Sequence, residues 1–296
     1  MWPIRSMLFI PAHRLEWIEK AGRFKPDAVI LDLEDAVPHA EKERARAIAR
    51  QGLPILARQG ILPFVRVNAL GEGCREDLAA VVALDLKGVI LPKARSAAEV
   101  AELDRILSYE EGRSGLAWNS VDVLPHPETA EGMVDARQLA SASRRVKGVL
   151  GVVGGPVSGD VARAAGFRPT REGSEQIYLN SKIVLESRAG GAPYPIAGII
   201  GAPLEDLDFV RVLVTRARDY GYAGVMLIHP KHVAVANEVF APSAEEIAYY
   251  TAMIVAFREA EAKGLAALDF RGQMVDLAMI RHAEDVLAEA RRRGAA

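Results

Sequence analysis

Eight short β-branched apolar runs, each separated from the next by a charged amphipathic stretch, constrain this chain more than any other feature of its sequence. In order they are SMLFIP from Ser6, AVILDLED from Ala28, PFVRVN from Pro63, GVILPK from Gly88, VDVLPH from Val121, GVLGVVGG from Gly148, PIAGIIG from Pro195 and GVMLIHP from Gly224. Runs apolar on both faces, alternating with helical stretches, belong to a parallel sheet buried beneath helices. Eight alternations in 296 residues fit a (β/α)8 TIM barrel, which usually takes about 250 residues. No G-x-G-x-x-G follows the first run, so an open dinucleotide-binding sheet lacks its main support.

The expected fold class is therefore α/β, with a TIM-barrel catalytic domain over residues 1–240 and a helical extension over 241–296. The extension reads as a long helix from Ser243 to Lys263, a break at GLAALDFRGQ, and an amphipathic helix from Met274 to Arg293. A closed barrel needs one helix after its eighth strand. The surplus must pack as a lid on its own barrel or as a segment exchanged with a neighbouring subunit.

Composition excludes several classes. Half the residues are hydrophobic, enough for a large core, and 37 Lys plus Arg nearly balance 39 Asp plus Glu. With no polybasic tract, neither nucleic acid nor anionic lipid is an expected partner. The one cysteine, Cys74, cannot form an intrachain disulfide. The opening MWPIRSMLFIPAHR has too short an apolar stretch for a secretory signal, so the expected location is the cytoplasm. No apolar run approaches the roughly 20 residues that span a bilayer.

Chemically able side chains fall at the carboxyl ends of the strands, where barrel active sites lie. Asp32, Glu34 and Asp35 end the second run, Arg66 and Asn68 the third and Lys93 the fourth; Glu128 follows the fifth, Asp160 the sixth, and His229 ends the eighth. Taken singly, an Asp after a strand is a helix cap or turn former. Taken together, so many charges around one mouth would be costly to bury without a function.

Glu128 and Asp160 are one βα unit apart and could face one ion. Two carboxylates without neighbouring cysteine suit a hard cation, Mg2+ first and Mn2+ second. A zinc site at His229 and His232 is disfavoured by their i,i+3 spacing just after a proline. Arg66, inside an apolar strand, offers a planar fork for a carboxylate or oxyanion; the competing role is an ion pair with Glu34 or Asp35. Lys93 invites a Schiff base, but reads better as an electrostatic partner of the second-strand acids.

These motifs, RSMLFIPAHR, AVILDLEDAVPHAEKERAR, VRVN, VILPK, PETAEG, SGDVARAAG, LIHPKHVAVANEVFAPS and RGQMVDLAMIRHA, resemble in order those of the citrate lyase β-subunit and malyl-CoA lyase family, within the metal-dependent HpcH/HpaI barrel aldolases. The resemblance implies Glu128 and Asp160 as metal carboxylates and Arg66 as the arginine that contacts the keto-acid portion. It implies Phe9, Arg14 and Lys20 near CoA, and Ile228 with His229 as further substrate contacts. It also implies that Asp276 is delivered into a neighbouring subunit's site, hence a homotrimer or homohexamer. Pro127 and Gly159 stand where the family usually has an aliphatic and an acidic residue, the GGPVSGD loop is roomier than usual, and Asn180 stands where many relatives carry arginine. These departures leave the acyl substrate open.

The expected activity is Mg2+-dependent carbon–carbon cleavage or condensation of a 3-hydroxyacyl-CoA such as a malyl-, citramalyl- or citryl-CoA ester, with Arg66, Asp276, Glu34 and Asp35 as the catalytic candidates. The alternatives are a class II aldolase releasing pyruvate from a CoA-free hydroxy-keto acid, an acyl-CoA thioesterase at the same site, and a non-catalytic acyl-CoA-binding subunit of a larger complex.

Overall fold

Each of the eight apolar runs forms a strand: β1 Ser6–Pro11, β2 Ala28–Asp32, β3 Leu62–Arg66, β4 Gly88–Leu91, β5 Asp122–Pro125, β6 Leu150–Gly154, β7 Ile196–Ile200 and β8 Gly224–Leu227. They pair in parallel in the order β5-β4-β3-β2-β1-β8-β7-β6. The ring closes at a seam between β5 and the segment entering β6. There Val123 N donates to Arg145 O at 2.9 Å and Lys147 N donates to Val123 O at 3.2 Å, around one isolated bridge from Val123 to Val146. The architecture is a TIM barrel, as the eight runs predict. The computed structural model describes residues 2–292, and the chain divides into two compact units, Met1–Val239 and Phe240–Ala296.

In the first unit the two-residue period of the strands sends alternate side chains inward. Ala28, Ile30, Phe64, Ile90, Leu124, Leu150, Ile196 and Met226 are buried together as the barrel's interior core. Gly88 is required beside it, since a Cβ there would stand 2.5 Å from the Phe64 ring. Outside, amphipathic helices cover the strands. The helix Leu207–Tyr220 buries Phe209, Val210, Leu213, Val214 and Ala217, a single stripe at helical spacing, and Asp206 caps it by accepting from Phe209 N.

The seam carries a buried charge cluster. Arg145 donates to both carboxylate oxygens of Glu111, at 2.6 and 2.7 Å, and to Asp104 at 2.5 Å. Glu111 and Asp104 lie on the helix Ala97–Arg113. This cluster ties that helix to the loop through which the ring closes.

The second unit has its own core, including Met253, Ile254, Phe257, Phe270, Val275 and Ile280. Its first helix, Ala244–Glu261, opens on a capping box between Ser243 and Glu246. The expected break at GLAALDFRGQ is instead part of an antiparallel hairpin, β9 Ala267–Phe270 and β10 Gln273–Asp276, so the last helix begins at Leu277 rather than Met274. Arg271 and Gly272 both take positive φ, 54° and 80°, the backbone that a two-residue hairpin turn requires. Arg-Gly is a weaker turn signal than Asn-Gly, which is why the hairpin does not stand out. The last helix is described to Arg292; its expected final residue, Arg293, lies outside the described residues. Among the described residues no helix is long and apolar enough to cross a membrane.

Candidate active site

The strands' carboxyl ends open into a cavity of about 440 Å³. Phe9, Asp32, Arg66, His126, Val152, Gly198 and Met226 all line it. Register explains their meeting: Asp32 is paired with Arg66, and Val152 with Gly198 with Met226.

Arg66 is held on three sides. Its Nε and Nη2 donate to Asp32 Oδ1 and Oδ2 at 2.7 and 2.6 Å, and Nη1 lies 3.0 Å from Glu34 Oε2. Its guanidinium carbon sits 4.9 Å from the Phe9 ring centroid. Burial would pull the arginine's pKa down, but Asp32, followed by Glu34 and Glu128, pushes it above its ordinary value. It is a fixed cation. Of the two ion-pair partners that the sequence offers, Glu34 is one in the structure and Asp35 is not; Asp32, which was not among them, is the bidentate partner.

Glu34 is buried between two cations, with Lys93 Nζ 2.7 Å from Oε1. Its contacts to Arg66 and Lys93 are ion pairs that fall short of well-directed hydrogen bonds. Burial accordingly raises the Glu34 pKa despite both neighbours. Lys93 has φ of 50°, which turns its backbone N toward Glu128 Oε2 at 3.3 Å. Burial pulls the Lys93 pKa down, but the Glu34 carboxylate overcomes this and raises it. Asp35, 3.6 Å from Lys93, is exposed and outside the cavity lining. Of the two acids grouped with Arg66 from sequence, Glu34 braces the arginine and Asp35 faces solvent.

Glu128 and Asp160 both line the cavity. Burial, with the charge of Asp160 adding to it, pushes the Glu128 carboxyl up to about 7. Asp160 opens the short helix Asp160–Ala165 and pairs with Arg163 at 2.6 Å. A buried glutamate facing a second acid is relieved by a cation, and two hard oxygen donors suit a divalent one. No three His, Cys, Asp or Glu side chains converge into a ligand group among the described residues. The residues thus fit an ion that completes its shell with water and substrate oxygens, as Mg2+ does. His126, with Nδ1 3.3 Å from Glu128 Oε1, is pulled down to about 3 by burial and by Arg66, and stays neutral.

Phe9 and Ile228 line the cavity; His229 does not, and its ring packs 5.3 Å from that of His232. Arg14 precedes the helix Leu15–Lys20, pairs with Glu16 at 2.9 Å and stacks on Trp17. Lys20 is exposed at that helix's end. Asp276 ends β10 in the second unit, where its Oδ1 accepts from Ala278 N at 2.9 Å and caps the last helix. Sequence reasoning missed His126 and the glycine-lined wall. His126 was findable, because it continues the inward alternation after Leu124.

Residues 5–230 match the HpcH/HpaI aldolase/citrate lyase family. A citrate lyase subunit beta-like protein of Deinococcus radiodurans is 33% identical over 96% of both chains. A (3S)-malyl-CoA thioesterase of Cereibacter sphaeroides is also 33% identical, over 97% of this chain and 95% of that one. Among solved structures, protein CitE from Mycobacterium tuberculosis, in complex with magnesium, acetoacetate and coenzyme A, is similar with a TM-score of 0.75 and 28% identity. That match covers 98% of this chain and 99% of the other.

Proposed function

The chain belongs to the HpcH/HpaI aldolase/citrate lyase family, and from that premise we propose that it is a magnesium-dependent carbon–carbon lyase acting on a 3-hydroxyacyl-CoA ester. The observation that carries this reading is the convergence of Glu128, Asp160 and Arg66 on one cavity. Relatives named citrate lyase subunit beta, and solved neighbours holding magnesium with coenzyme A or with oxaloacetate, support it.

In this reading Glu128 and Asp160 would hold the ion, which when bound would supply Lewis-acid charge stabilisation to a substrate that carries a hydroxyl beside a carboxylate. Arg66, fixed by Asp32 and Glu34, grips that carboxylate and neutralises the charge left on the oxygen as the hydroxyl proton passes to solvent. A preorganised donor in such a pocket is worth about 3 to 4 kcal/mol. The bond between the hydroxyl-bearing carbon and the thioester α-carbon then breaks. Its electron pair forms the enolate of the acyl thioester, and Asp276 of a neighbouring copy returns a proton to that carbon. The products are a 2-oxo acid and an acyl-CoA. Neutral His126 adds no competing positive charge beside the ion site. Arg14 and Lys20, with Phe9, face the CoA portion. The same reading makes the protein a cytoplasmic homotrimer or homohexamer.

The test is incubation of the purified protein with 3-hydroxyacyl-CoA thioesters and Mg2+, following 2-oxo acid and acyl-CoA together. Glu128→Gln and Asp160→Asn abolish turnover and Mg2+ binding while retaining a cooperative melt. Full activity in excess EDTA would defeat the proposal.

Thioester hydrolysis is the second reading, supported by the (3S)-malyl-CoA thioesterase relative. It differs in delivering water to the acyl carbon. Free CoA released without 2-oxo acid identifies it.

A further inference from the structure

The barrel mouth is divided by chemistry. Strands β2 and β3 and the residues just after β5 supply Asp32, Arg66, His126 and Glu128, whereas β6, β7, β8 and the residue after β8 present Val152, Gly198, Ile200, Met226 and Ile228, the segment beyond β6 adding Asp160 and Gln176. Among the described residues Arg66 is the only Lys or Arg in the lining, and it is already engaged by Asp32 and Glu34. One half of the cavity therefore suits a chelating hydroxy-carboxylate. The other holds no Lys or Arg for a second carboxylate, the Gln176 amide being engaged by Gly154 O and Glu175, and leaves apolar surface for a hydrocarbon group.

Gly198 is the inward position at the middle of that apolar half, between Ile196 in the core layer and Ile200 in the lining. Glycine is not imposed there by packing. A Cβ would meet Met226 Cε at 3.4 Å, Gly151 O at 3.6 Å and Val152 Cγ2 at 3.8 Å, all ordinary contacts. Nor does its backbone take the positive φ that favours glycine, unlike Gly201 in the following turn. What the missing side chain does is keep the cavity floor open.

We propose that Gly198 leaves a seat for an alkyl group on the hydroxyl-bearing carbon of the substrate, so that the 2-oxo acid released on cleavage carries an alkyl side chain rather than a hydrogen or a second carboxylate. This rests on the lyase reading for the bond that breaks, but the seat itself is a matter of shape. The hydroxyl proton passes to solvent, the carbon–carbon pair becomes the enolate and takes its proton from Asp276, and the alkyl group stays on the 2-oxo acid throughout. In an apolar pocket one methylene discriminates by about 10- to 200-fold.

The experiment compares glyoxylate, pyruvate, 2-oxobutyrate and oxaloacetate in the condensing direction with acetyl-CoA and Mg2+, for the wild type, Gly198→Ala and Gly198→Val. The melting-temperature shift that each 2-oxo acid produces in the presence of Mg2+ is read in parallel. The wild type favours pyruvate and 2-oxobutyrate over glyoxylate and oxaloacetate by at least tenfold in kcat/KM, with the same order of melting shifts. Gly198→Ala lowers 2-oxobutyrate first, and Gly198→Val removes the preference while sparing glyoxylate. A wild type that prefers glyoxylate or oxaloacetate, a Gly198→Ala protein with an unchanged order, or no melting shift with any 2-oxo acid overturns the seat. Alkyl-ordered melting shifts that Gly198→Ala weakens, without any condensation, would uphold the seat and defeat the lyase reading instead.

Discussion

Asp32 and Arg66 are register partners on adjacent strands, and the carboxylate of one meets the guanidinium of the other through two hydrogen bonds of 2.7 and 2.6 Å. The pair fixes the plane of the guanidinium, and Glu34 at 3.0 Å fixes its remaining edge. A lysine at position 66 keeps the charge but cannot make the fork. Arg66→Lys is expected to lower kcat by about 10²- to 10³-fold, the loss typical of a displaced transition-state donor. Steady-state kinetics beside a thermal melt checks this; a loss below tenfold in a folded variant would take Arg66 out of the chemistry.

Lys93 is placed where a Schiff-base lysine would be found, yet its amine lies 2.7 Å from Glu34 and its pKa is raised above the ordinary lysine value. A nucleophilic lysine needs the opposite shift. Borohydride reduction in the presence of pyruvate should therefore leave the protein's intact mass unchanged. An adduct on Lys93 would replace the metal-dependent scheme with an imine.

The barrel was legible because all eight strands are apolar on both faces and each is bounded by turn residues. The acids and the arginine at the strand ends were legible by the same route. What sequence could not supply was neighbourhood. That Arg66 would take Asp32 as a partner beside Glu34 depends on the register of β3 against β2, and one residue's difference along the chain turns the buried Glu34 into the exposed Asp35. The hairpin β9–β10 escaped notice because each strand has only four residues, too few for a two-residue period to stand out from the helix beyond. Gly198 carried no signal at all, since its meaning is the space beside it.

Asp276 caps the last helix through Ala278 N, and an asparagine can keep that cap while losing the acid. Asp276→Asn should therefore melt close to the wild type and yet lose kcat by about 10²- to 10⁴-fold, the range for a general acid or base. If the acid serves a neighbouring copy, refolding Asp276→Asn together with Glu128→Gln restores part of the activity through mixed oligomers. Two inactive variants that stay inactive when mixed would confine the site to one chain.

Arg145 bears on stability rather than chemistry. Its side chain is fully buried, and among the described residues it is the only cation paired with Glu111, which is itself 1% exposed. Arg145→Ala strands a buried carboxylate at the barrel seam, and breaking such a pair by removing one partner costs about 3 to 5 kcal/mol. Burial raises the Glu111 pKa, but Arg145 and the Val121 amide outweigh it and hold the group below its ordinary value of 4.5. A carboxylate depressed in the folded state stabilises above its unfolded pKa, and that contribution is lost as the pH falls through the folded value. The gap between wild type and Arg145→Ala is thus widest near pH 7 and narrows below about pH 4.5, where protonating Glu111 removes the stranded charge. Urea unfolding at pH 7 and pH 4 measures both; a gap of the same size at the two pH values would mean that the seam is held by packing and not by this ion pair.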